Sequence, residues 1–193
     1  RRNNMTAAIM QPYFLPYIGY FQLMKSVDVF VVYDNIQFSK GGWINRNRIL
    51  SNGKDVFITL PLKKDSDYLD ICDRSLSDTF QAERECIIRR IEGSYKKAPH
   101  FKKVFSISEQ ILRYNDNNLF KFLMNSIRVI NDYLQINTKL IVSSSLDMNH
   151  FLKNEERVIE TCKVLNADKY INPIGGLELY SKDRFNEKEI CLK

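Results

Sequence analysis

The chain alternates short apolar runs with stretches of helical periodicity, and this alternation is the feature that most constrains its fold. Ala7 to Gln11 is an apolar run that stops at Pro12, and Val29 to Tyr33 is a second run that stops at Asp34. Tyr17 to Ser26, between the two runs, has apolar residues at helical spacing. Because the residue before a proline is held in extended geometry, the first run is predicted to be a buried strand that leads into a loop. The opening of the chain is therefore predicted to be a strand, a helix and a strand.

The remaining chain continues the pattern with a hairpin and a block of helices in its middle. The Asn-Gly pair of the stretch SNGK favours a tight turn between two strands. The predicted elements are strands at Arg46 to Leu50 and Val56 to Leu62, helices at about 78–98, 104–114 and 119–134, a strand at Leu140 to Val142, a helix at Glu155 to Asn166 and a strand at Tyr170 to Pro173. We predict an α/β, Rossmann-like fold with a mainly parallel sheet, a β-hairpin and a helical insertion at about 78–135, in a single domain over residues 7–193.

Charge and composition narrow the classes of partner and of site. The net charge of +6 over 193 residues favours an acidic partner, which can be a phosphate-bearing small molecule, a nucleic acid or a membrane surface. The basic residues are spread along the chain without the signature of an RNA- or DNA-binding module, so nucleic acid is the least favoured of the three. Four cysteines without ligand spacing and two histidines predict neither a zinc site nor a disulfide framework.

The sequence contains no stretch that reads as a membrane anchor or a leader. No run of about 18 apolar residues could span a bilayer, and no apolar signal-peptide segment follows the opening RRNN. We expect a cytoplasmic protein. Since MTAAIMQP reads as a natural start, residues 1–4 are interpreted as a tag or an upstream extension.

Polar residues follow each predicted parallel strand, at the edge of the sheet where ligands bind in such folds. Asp34 is the strongest acid or base candidate, because rigid backbone holds a carboxylate at that edge and partly desolvates it. Two structural alternatives remain open: Asp34 can cap the next turn, and Ser143 to Ser145 can cap the following helix. The predicted edge consists of Gln11, Pro12 and Tyr13, then Asp34, Asn35 and Gln37, then Ser143 to Ser145, and finally Gly175 and Gly176.

Two segments carry the side chains expected of a polar ligand's pocket. QPYFLPYIGYF places two prolines and a glycine in a strand-to-helix connection, which stiffens the loop and lets the backbone approach an anion at the helix N-terminus. YDNIQFSKGGWINRNRI supplies amides and arginines for hydroxyls, carbonyls and phosphates, and a Trp that can stack on a sugar or base. The alternatives are that the aromatic residues fill a core and that Arg46 and Arg48 lie on a solvated hairpin face.

Several common enzyme motifs are missing from the sequence. It contains no GxGxxG, no GxxxxGK[ST], no GxSxG and no HExxH. The standard dinucleotide-binding, P-loop, hydrolase and zinc-protease interpretations therefore lose most of their support.

Three blocks of the sequence resemble the WbqC-like family of bacterial proteins, which is associated with O-antigen and related surface-polysaccharide biosynthesis. The blocks are MQPYFLPYIGYFQLM, DVFVVYDNIQFSKGGWINRNRI and NADKYINPIGGLELY, and the resemblance runs in order from about Ala7 to Tyr180. It implies a role in making or modifying an activated sugar, as a transferase. The family pattern falls on Gln11, Pro12, Pro16, Gly19, Tyr20, Asp34, Gln37, Phe38, Trp43, Arg46, Asn47, Arg48, Tyr170, Gly175, Gly176 and Tyr180.

Together, the resemblance and the polar edge predict transfer of an acyl or aminoacyl group to a nucleotide-linked amino sugar or a sugar phosphate. Asp34 would deprotonate the acceptor amine, Tyr20 is a second catalytic candidate, and Arg46 and Arg48 would hold a diphosphate. No cofactor is evident apart from the activated acyl or aminoacyl donor. The predicted substrate-binding residues are Gln11, Pro12, Tyr13, Tyr17, Gly19, Gln37, Trp43, Arg46, Asn47, Arg48, Ser144, Gly175, Gly176 and Tyr180.

Two other functions stay open. YIGY, at Tyr17 to Tyr20, stands where nucleotidyltransferases of the HxGH type carry their motif, but both histidines are tyrosines here. A neutral phenol cannot supply an imidazolium charge, so we expect a related fold without classical nucleotidyl transfer. The other alternative is a non-catalytic binding or scaffolding protein of a polysaccharide-biosynthesis complex, since no nucleophile, metal or cofactor motif is present.

Overall fold

The computed structural model describes residues 5–176 and 179–193, which form two compact units. The first, here called the sheet unit, comprises the chain up to Gln11, Tyr17–Asp34 and Ile136–Lys193. The second, here called the insertion unit, comprises Pro12–Pro16 and Asn35–Gln135. The tag or upstream extension expected at residues 1–4 lies outside the described residues.

The described residues form the strands and helices that are numbered here in chain order. The strands are β1 (Thr6–Met10), β2 (Val29–Val32), β3 (Arg46–Ser51), β4 (Lys54–Thr59), β5 (Lys139–Val142), β6 (Lys169–Tyr170) and β7 (Cys191–Leu192). The helices are α1 (Ile18–Lys25), α2 (Phe80–Tyr95), α3 (Phe101–Leu112), α4 (Leu119–Leu134), α5 (Asn154–Val164) and α6 (Lys182–Asn186). Short 3₁₀ turns occupy Ile71–Asp73, Ser143–Ser145 and Ile174–Gly176.

The sheet unit is built on a parallel sheet with the strand order β5-β2-β1-β6-β7. All four residues of β2 and the first four of β1 are buried, as expected for parallel strands covered on both faces. The chain steps from β1 through α1 to β2 in one direction and from β5 through α5 to β6 in the other. Right-handed crossovers therefore place α1 and α5 on opposite faces. The predicted α/β fold with a mainly parallel sheet is confirmed.

Apolar side chains from the sheet and its helices form the core of this unit. Ile9 and Val31 of the sheet pack with Val158 and Cys162 of α5 and with Phe185 of α6.

The chain runs from β1 outward to β2 and β5 and then returns past β1 to β6, so strand order reverses between β1 and β6. In open parallel sheets such a reversal opens a crevice at the carboxyl ends of the strands, where ligands bind.

The insertion unit contains the hairpin and the three long helices. β3 and β4 pair antiparallel, and Asn52 (φ 50°) and Gly53 (φ 75°) supply the positive angles of the turn that the Asn-Gly pair predicts. α4 begins with a side-chain cap, in which Asn118 accepts the backbone N–H of Lys121 at 3.0 Å. The ring of Phe122 in α4 meets that of Phe80 edge to face, 5.3 Å between centroids. The predicted helical stretch at about 78–135 falls within this unit.

The structure differs from the predicted elements mainly near the C-terminus. The strand after α5 is Lys169–Tyr170 rather than Tyr170 to Pro173, and the chain adds α6 and a further parallel strand, β7, which the sequence did not indicate. Both are too short to carry a readable periodicity. In the part of the chain that the structure describes, no helix has the length and apolar character needed to cross a membrane.

Candidate functional site

Asp34 lies at the carboxyl edge of the sheet, beside the turn that follows β5. The ends of β2 and β5 are adjacent because Val32 pairs with Val142. The Asp34 carboxylate accepts the backbone N–H of Ser144 at 2.9 Å and its hydroxyl at 2.5 Å, and Asp34 is only 4% exposed. A carboxylate has about four lone-pair sites, so two bonds leave capacity for a further donor. Asp34 can therefore cap the Ser143–Ser145 turn and still accept a proton.

A buried arginine is positioned at the same edge by the first turn of α5. Arg157 is 8% exposed, and its Nη2 donates to the hydroxyl oxygen of Ser143 at 3.3 Å. Its guanidinium lies 4.9 Å from the centroid of the Tyr33 ring. Tyr33 precedes Asp34 in the sequence, and Ser143 precedes Ser144. Arg157 and Asp34 therefore lie at the carboxyl ends of the same two strands, β2 and β5. A buried guanidinium held in this way is a directed donor for phosphate or carboxylate groups.

Three tyrosines, Tyr33, Tyr170 and Tyr180, pack with Cys162 in the core of the sheet unit. Burial raises the pKa values of Tyr33, Tyr170 and Tyr180, so their hydroxyls stay neutral at physiological pH. The ring of Tyr170 meets that of Tyr180 edge to face at 6.0 Å, which places the predicted substrate-binding Tyr180 against the end of β6. Burial also raises the pKa of Cys162 to about 12, so this thiol is not a nucleophile.

The turn after β6 depends on a glycine and on an asparagine. The Asn172 side chain donates to the carbonyl of Gly176 at 2.6 Å, and its backbone N–H donates to the carbonyl of Lys193 at 2.9 Å. A Cβ atom on Gly176 would overlap the Asn172 amide, so a larger residue there would displace that side chain from its hydrogen bond. Gly175, in contrast, is exposed and has open space around it.

The predicted residues at the start of α1 have two different environments. Tyr20 is 1% exposed, its hydroxyl donates to the Gln11 carbonyl at 3.1 Å, and its ring packs on Phe30 at 5.2 Å. This environment favours a structural role, and the catalytic role of Tyr20 stays a prediction. Tyr17 is 61% exposed and its ring lies over Gly19, where a Cβ atom would overlap it. Tyr17 is therefore the accessible aromatic side chain of this helix start.

In the insertion unit, the predicted arginines and the tryptophan share one face of the hairpin. The rings of Trp43 and Phe57 stack at 6.3 Å, and the Arg48 guanidinium lies 5.1 Å from the Trp43 ring. Arg48 pairs with Asp55 at 2.8 Å, and this contact lowers the pKa of that carboxyl. Arg46 donates to the carbonyls of the preceding glycine turn and lies 4.8 Å from the Phe57 ring. We call Trp43, Arg46, Arg48 and Phe57 the hairpin face.

Other predicted residues of the insertion unit hold backbone segments in place. Asn47 donates to the carbonyls of Phe14 at 3.0 Å and Leu15 at 2.6 Å, and so fastens the segment that includes the predicted Pro12 and Tyr13. Gln37 donates from its side chain to the carbonyl of Asp67 at 2.9 Å, in the same unit. Partly buried backbone carbonyls need such partners, so Asn47 has a structural role independent of any ligand.

The structure thus divides the predicted site residues between the two units. The sheet unit holds Gln11, Tyr17, Gly19, Tyr20, Asp34, Ser144, Gly175, Gly176 and Tyr180. The insertion unit holds Pro12, Tyr13, Gln37, Trp43, Arg46, Asn47 and Arg48. Whether any of them binds substrate stays a prediction.

Sequence reasoning missed the buried arginine at this edge of the sheet. Arg157 belongs to the stretch NEERVIE, which reads as the solvated first turn of a helix, and nothing in that pattern indicates burial. Asn172, whose side chain donates to the Gly176 carbonyl, was predicted to lie inside the last strand, at Tyr170 to Pro173. Across the described ranges, no group of three or more His, Cys, Asp and Glu side chains is placed to hold a metal ion.

Comparisons with known proteins point to one family. The model of the WbqC-like protein family matches residues 11–193. The uncharacterized protein Rv1507c of Mycobacterium tuberculosis (strain ATCC 25618 / H37Rv) is 29% identical over 185 residues, which are 95% of this chain and 78% of that protein. No solved structure gives a significant match.

Proposed function

The chain belongs to the WbqC-like protein family, and from this membership we propose that it is a transferase that delivers an acyl or aminoacyl group to a nucleotide-linked amino sugar. The pathway we propose is bacterial surface-polysaccharide biosynthesis, the context that the family resemblance implies. The observation that carries the proposal is the Asp34 carboxylate, buried at the carboxyl edge of a parallel sheet and fixed by two hydrogen bonds from Ser144.

The proposed reaction needs a base and a site for anionic groups. The sugar amine attacks the carbonyl carbon of an activated donor, a thioester or an acyl phosphate. The C–N bond forms, the C–S or C–O bond breaks, and the leaving group departs with the bonding electron pair. Asp34 accepts the proton that the amine loses. Arg157 supplies a fixed positive charge at the same edge, which suits the phosphate of a nucleotide-linked substrate.

Turnover of a substrate panel tests the proposal. The purified chain is incubated with nucleotide-linked amino sugars and acyl or aminoacyl donors, and the sugar products are read by mass spectrometry. We expect one pair to give a product heavier by the transferred group, and the matching sugar with a hydroxyl in place of the amine to give none. Absence of product across a broad panel, together with absence of sugar-nucleotide binding, would contradict the proposal.

A second candidate function is a binding role within a polysaccharide-biosynthesis complex, and the hairpin face favours it. Trp43 is 39% exposed and Phe57 is 45% exposed, and both are stacked with arginines. Exposed Trp and Arg side chains are enriched among the residues that dominate protein–protein binding energy. Co-purification with a glycosyltransferase that is lost on Trp43→Ala would support this role. Turnover by the isolated, monodisperse chain would decide against it.

Nucleotidyl transfer is the remaining alternative, and its readout differs. Such an enzyme would release pyrophosphate from a nucleoside triphosphate in the presence of a sugar phosphate. We expect no release, because Tyr17 and Tyr20 occupy the positions of the two motif histidines and neither carries a positive charge.

A further inference from the structure

The insertion unit contains an apolar cavity that none of the predicted site residues lines. Its volume is about 240 Å³. The lining includes Ile49 of β3, Ile91 and Tyr95 of α2, and Phe101, Val104 and Phe105 of α3.

The polar atoms near this cavity are few, and the best placed already has a partner. The Tyr95 hydroxyl accepts the backbone N–H of Leu50 at 2.8 Å. The rings of Phe101 and Phe105 stack at 5.0 Å and present an aromatic wall. Val104 is 44% exposed although it lines the cavity, so the cavity is open to solvent on the side of α3. An apolar group entering there would remove this surface from water.

Positive charge is concentrated in the segment that supplies much of this lining. Between Glu92 and Glu109 the chain has four lysines and a histidine and no acidic residue. Lys96, Lys97, Lys102 and Lys103 are all exposed, and each lies within three residues of a lining side chain. An exposed cluster of this kind attracts anions, and its ammonium groups can bind phosphate or carboxylate.

We infer that this cavity binds an amphipathic anion, with a short apolar chain in the cavity and a phosphate or carboxylate head at the lysines. The apolar lining favours a ligand with an alkyl chain, and the four lysines favour a negatively charged head group on that ligand. The volume lies below the roughly 300–1,000 Å³ of pockets for drug-sized ligands, which limits the apolar part of the ligand to a small group such as a short chain. This site is independent of the proposed transferase reaction, because it uses none of its residues.

A chain-length series is the first test. n-Alkyl phosphates from butyl to decyl are titrated into the full chain by calorimetry, below their micelle concentrations, with inorganic phosphate and the n-alkyl alcohols as comparisons. We expect the affinity to rise by about fourfold per methylene until the cavity is filled, and then to stop rising. The alcohols should bind at least tenfold more weakly than the phosphates of equal length. Equal affinity for inorganic phosphate and octyl phosphate would overturn the inference.

Matched variants locate the chain. Val104→Glu places a carboxylate at the cavity opening and is expected to lower octyl phosphate affinity by tenfold or more. Phe151→Glu adds the same charge at a side chain that is 92% exposed and outside the lining, so it should leave the affinity unchanged. Ala98→Phe reduces the cavity and should shorten the chain length at which affinity stops rising. Unchanged binding in both Val104→Glu and Ala98→Phe, with thermal melts showing folded protein, would overturn the inference.

A second pair of variants locates the head, and vesicles identify its source. Lys97→Glu should weaken octyl phosphate but not octanol, whereas Lys64→Glu, an exposed lysine elsewhere in the unit, should change neither. Flotation with phosphatidylglycerol vesicles that is lost on Val104→Glu assigns the ligand to a membrane lipid. Octyl phosphate binding without flotation assigns it to a free amphiphile. Flotation without octyl phosphate binding, and insensitive to Val104→Glu, would leave only surface attraction and overturn the inference.

Discussion

Asp34 and Tyr20 were both predicted to be catalytic, yet the structure gives them different surroundings. Asp34 is fixed by a polar turn at the carboxyl edge of the sheet, where a ligand is expected. Tyr20 is enclosed by Phe21 and Phe30 with its hydroxyl on a backbone carbonyl. The surroundings of Asp34 suit proton transfer, and those of Tyr20 suit packing.

Tyr20→Phe separates these roles for the tyrosine. The change keeps the ring contacts and removes the hydrogen bond to the Gln11 carbonyl, so we expect unfolding free energy to fall by about 1 kcal/mol. Turnover per folded molecule should stay within about twofold. Urea unfolding and the transfer assay measure the two quantities, and a loss of 100-fold or more in turnover would restore Tyr20 as a catalytic residue.

The burial of the Cys162 thiol lets us predict how the free energy of unfolding changes at alkaline pH. Burial raises the pKa of this thiol from 9.0 to about 12, so the unfolded chain loses the proton at lower pH than the folded chain does. Stability is therefore lost as the pH rises above about 9, by roughly 0.8 kcal/mol between pH 8 and 9.5. Urea unfolding across this range should show the slope in the native sequence and in Cys191→Ala, whose thiol is exposed. Cys162→Ala should lose stability at every pH but lack most of the slope, and an unchanged slope would contradict the account.

At the scale of elements, the spacing of apolar residues predicted long helices well, and turn residues predicted the hairpin. The bounds of α4 agree with the predicted 119–134, because an apolar face sustained over four turns has few alternatives. The hairpin was predicted from its Asn-Gly turn, which fixes the register of both strands. β7 was missed because Cys191 and Leu192 form a strand only through pairing with β6, and two residues show no period.

The same limit explains why Arg157 was not predicted. Periodicity indicates which face of α5 is apolar, but Arg157 is buried by contacts with Tyr33 and Ser143, which arrive from different strands. Such contacts depend on the order of strands in the sheet, which no local pattern specifies. Asp34 itself was predictable, because it stands two residues after the end of a strand of four buried residues.

Replacing Gly53 in the hairpin turn by alanine tests the backbone conformation of the turn, and the same replacement at Gly93 in α2 is the control. Gly53 has φ 75° and a Cβ atom there would meet nothing within 4 Å, so Gly53→Ala costs only backbone strain, about 1 kcal/mol of unfolding free energy. Gly93→Ala in α2 also has open space but a helical backbone, and should stabilise the chain by about 0.5–1 kcal/mol. Urea unfolding of the two variants should give opposite signs. Equal signs would show that the turn is not held in the left-handed region.

Arg46→Ala tests whether the hairpin face binds substrate. A charge-assisted contact with a diphosphate is worth about 1.5–3 kcal/mol, so a binding role predicts a KM at least tenfold higher with kcat nearly unchanged. A purely structural role predicts lower stability instead, because Arg46 bonds to the carbonyls of Gly41 and Gly42. Steady-state kinetics and thermal melts distinguish the two, and a normal KM would remove Arg46 from the substrate site.

At the scale of the whole molecule, the chain was predicted to be one domain with an insertion that starts at about residue 78. The structure groups the hairpin with the helices, so that the insertion unit takes in Asn35–Gln135 and also Pro12–Pro16. Asn47, through its bonds to the carbonyls of Phe14 and Leu15, shows why: side-chain contacts across more than thirty positions join these segments. Periodicity along the sequence carries no information about such contacts.

We propose that the carboxyl edge of the sheet is a catalytic site with Asp34 as its base. Asp34→Asn is a sharp test because the amide keeps the size of the carboxylate, its oxygen can still accept the Ser144 N–H, and its NH₂ can donate to the Ser144 hydroxyl oxygen. Stability should therefore change little while the proton acceptor is lost. Asp28→Asn is the matched control, because Asp28 accepts the Thr6 N–H at 2.8 Å at the opposite end of β2.

The most direct measurement is turnover per folded molecule for Asp34→Asn, with the folded fraction taken from thermal melts of the same samples. Loss of a general base predicts a fall of about 100-fold or more with a nearly unchanged melting temperature, while Asp28→Asn keeps its turnover. A melting temperature lowered in Asp34→Asn, with normal turnover by the molecules that remain folded, would contradict the account and show that Asp34 only caps the turn at Ser143–Ser145.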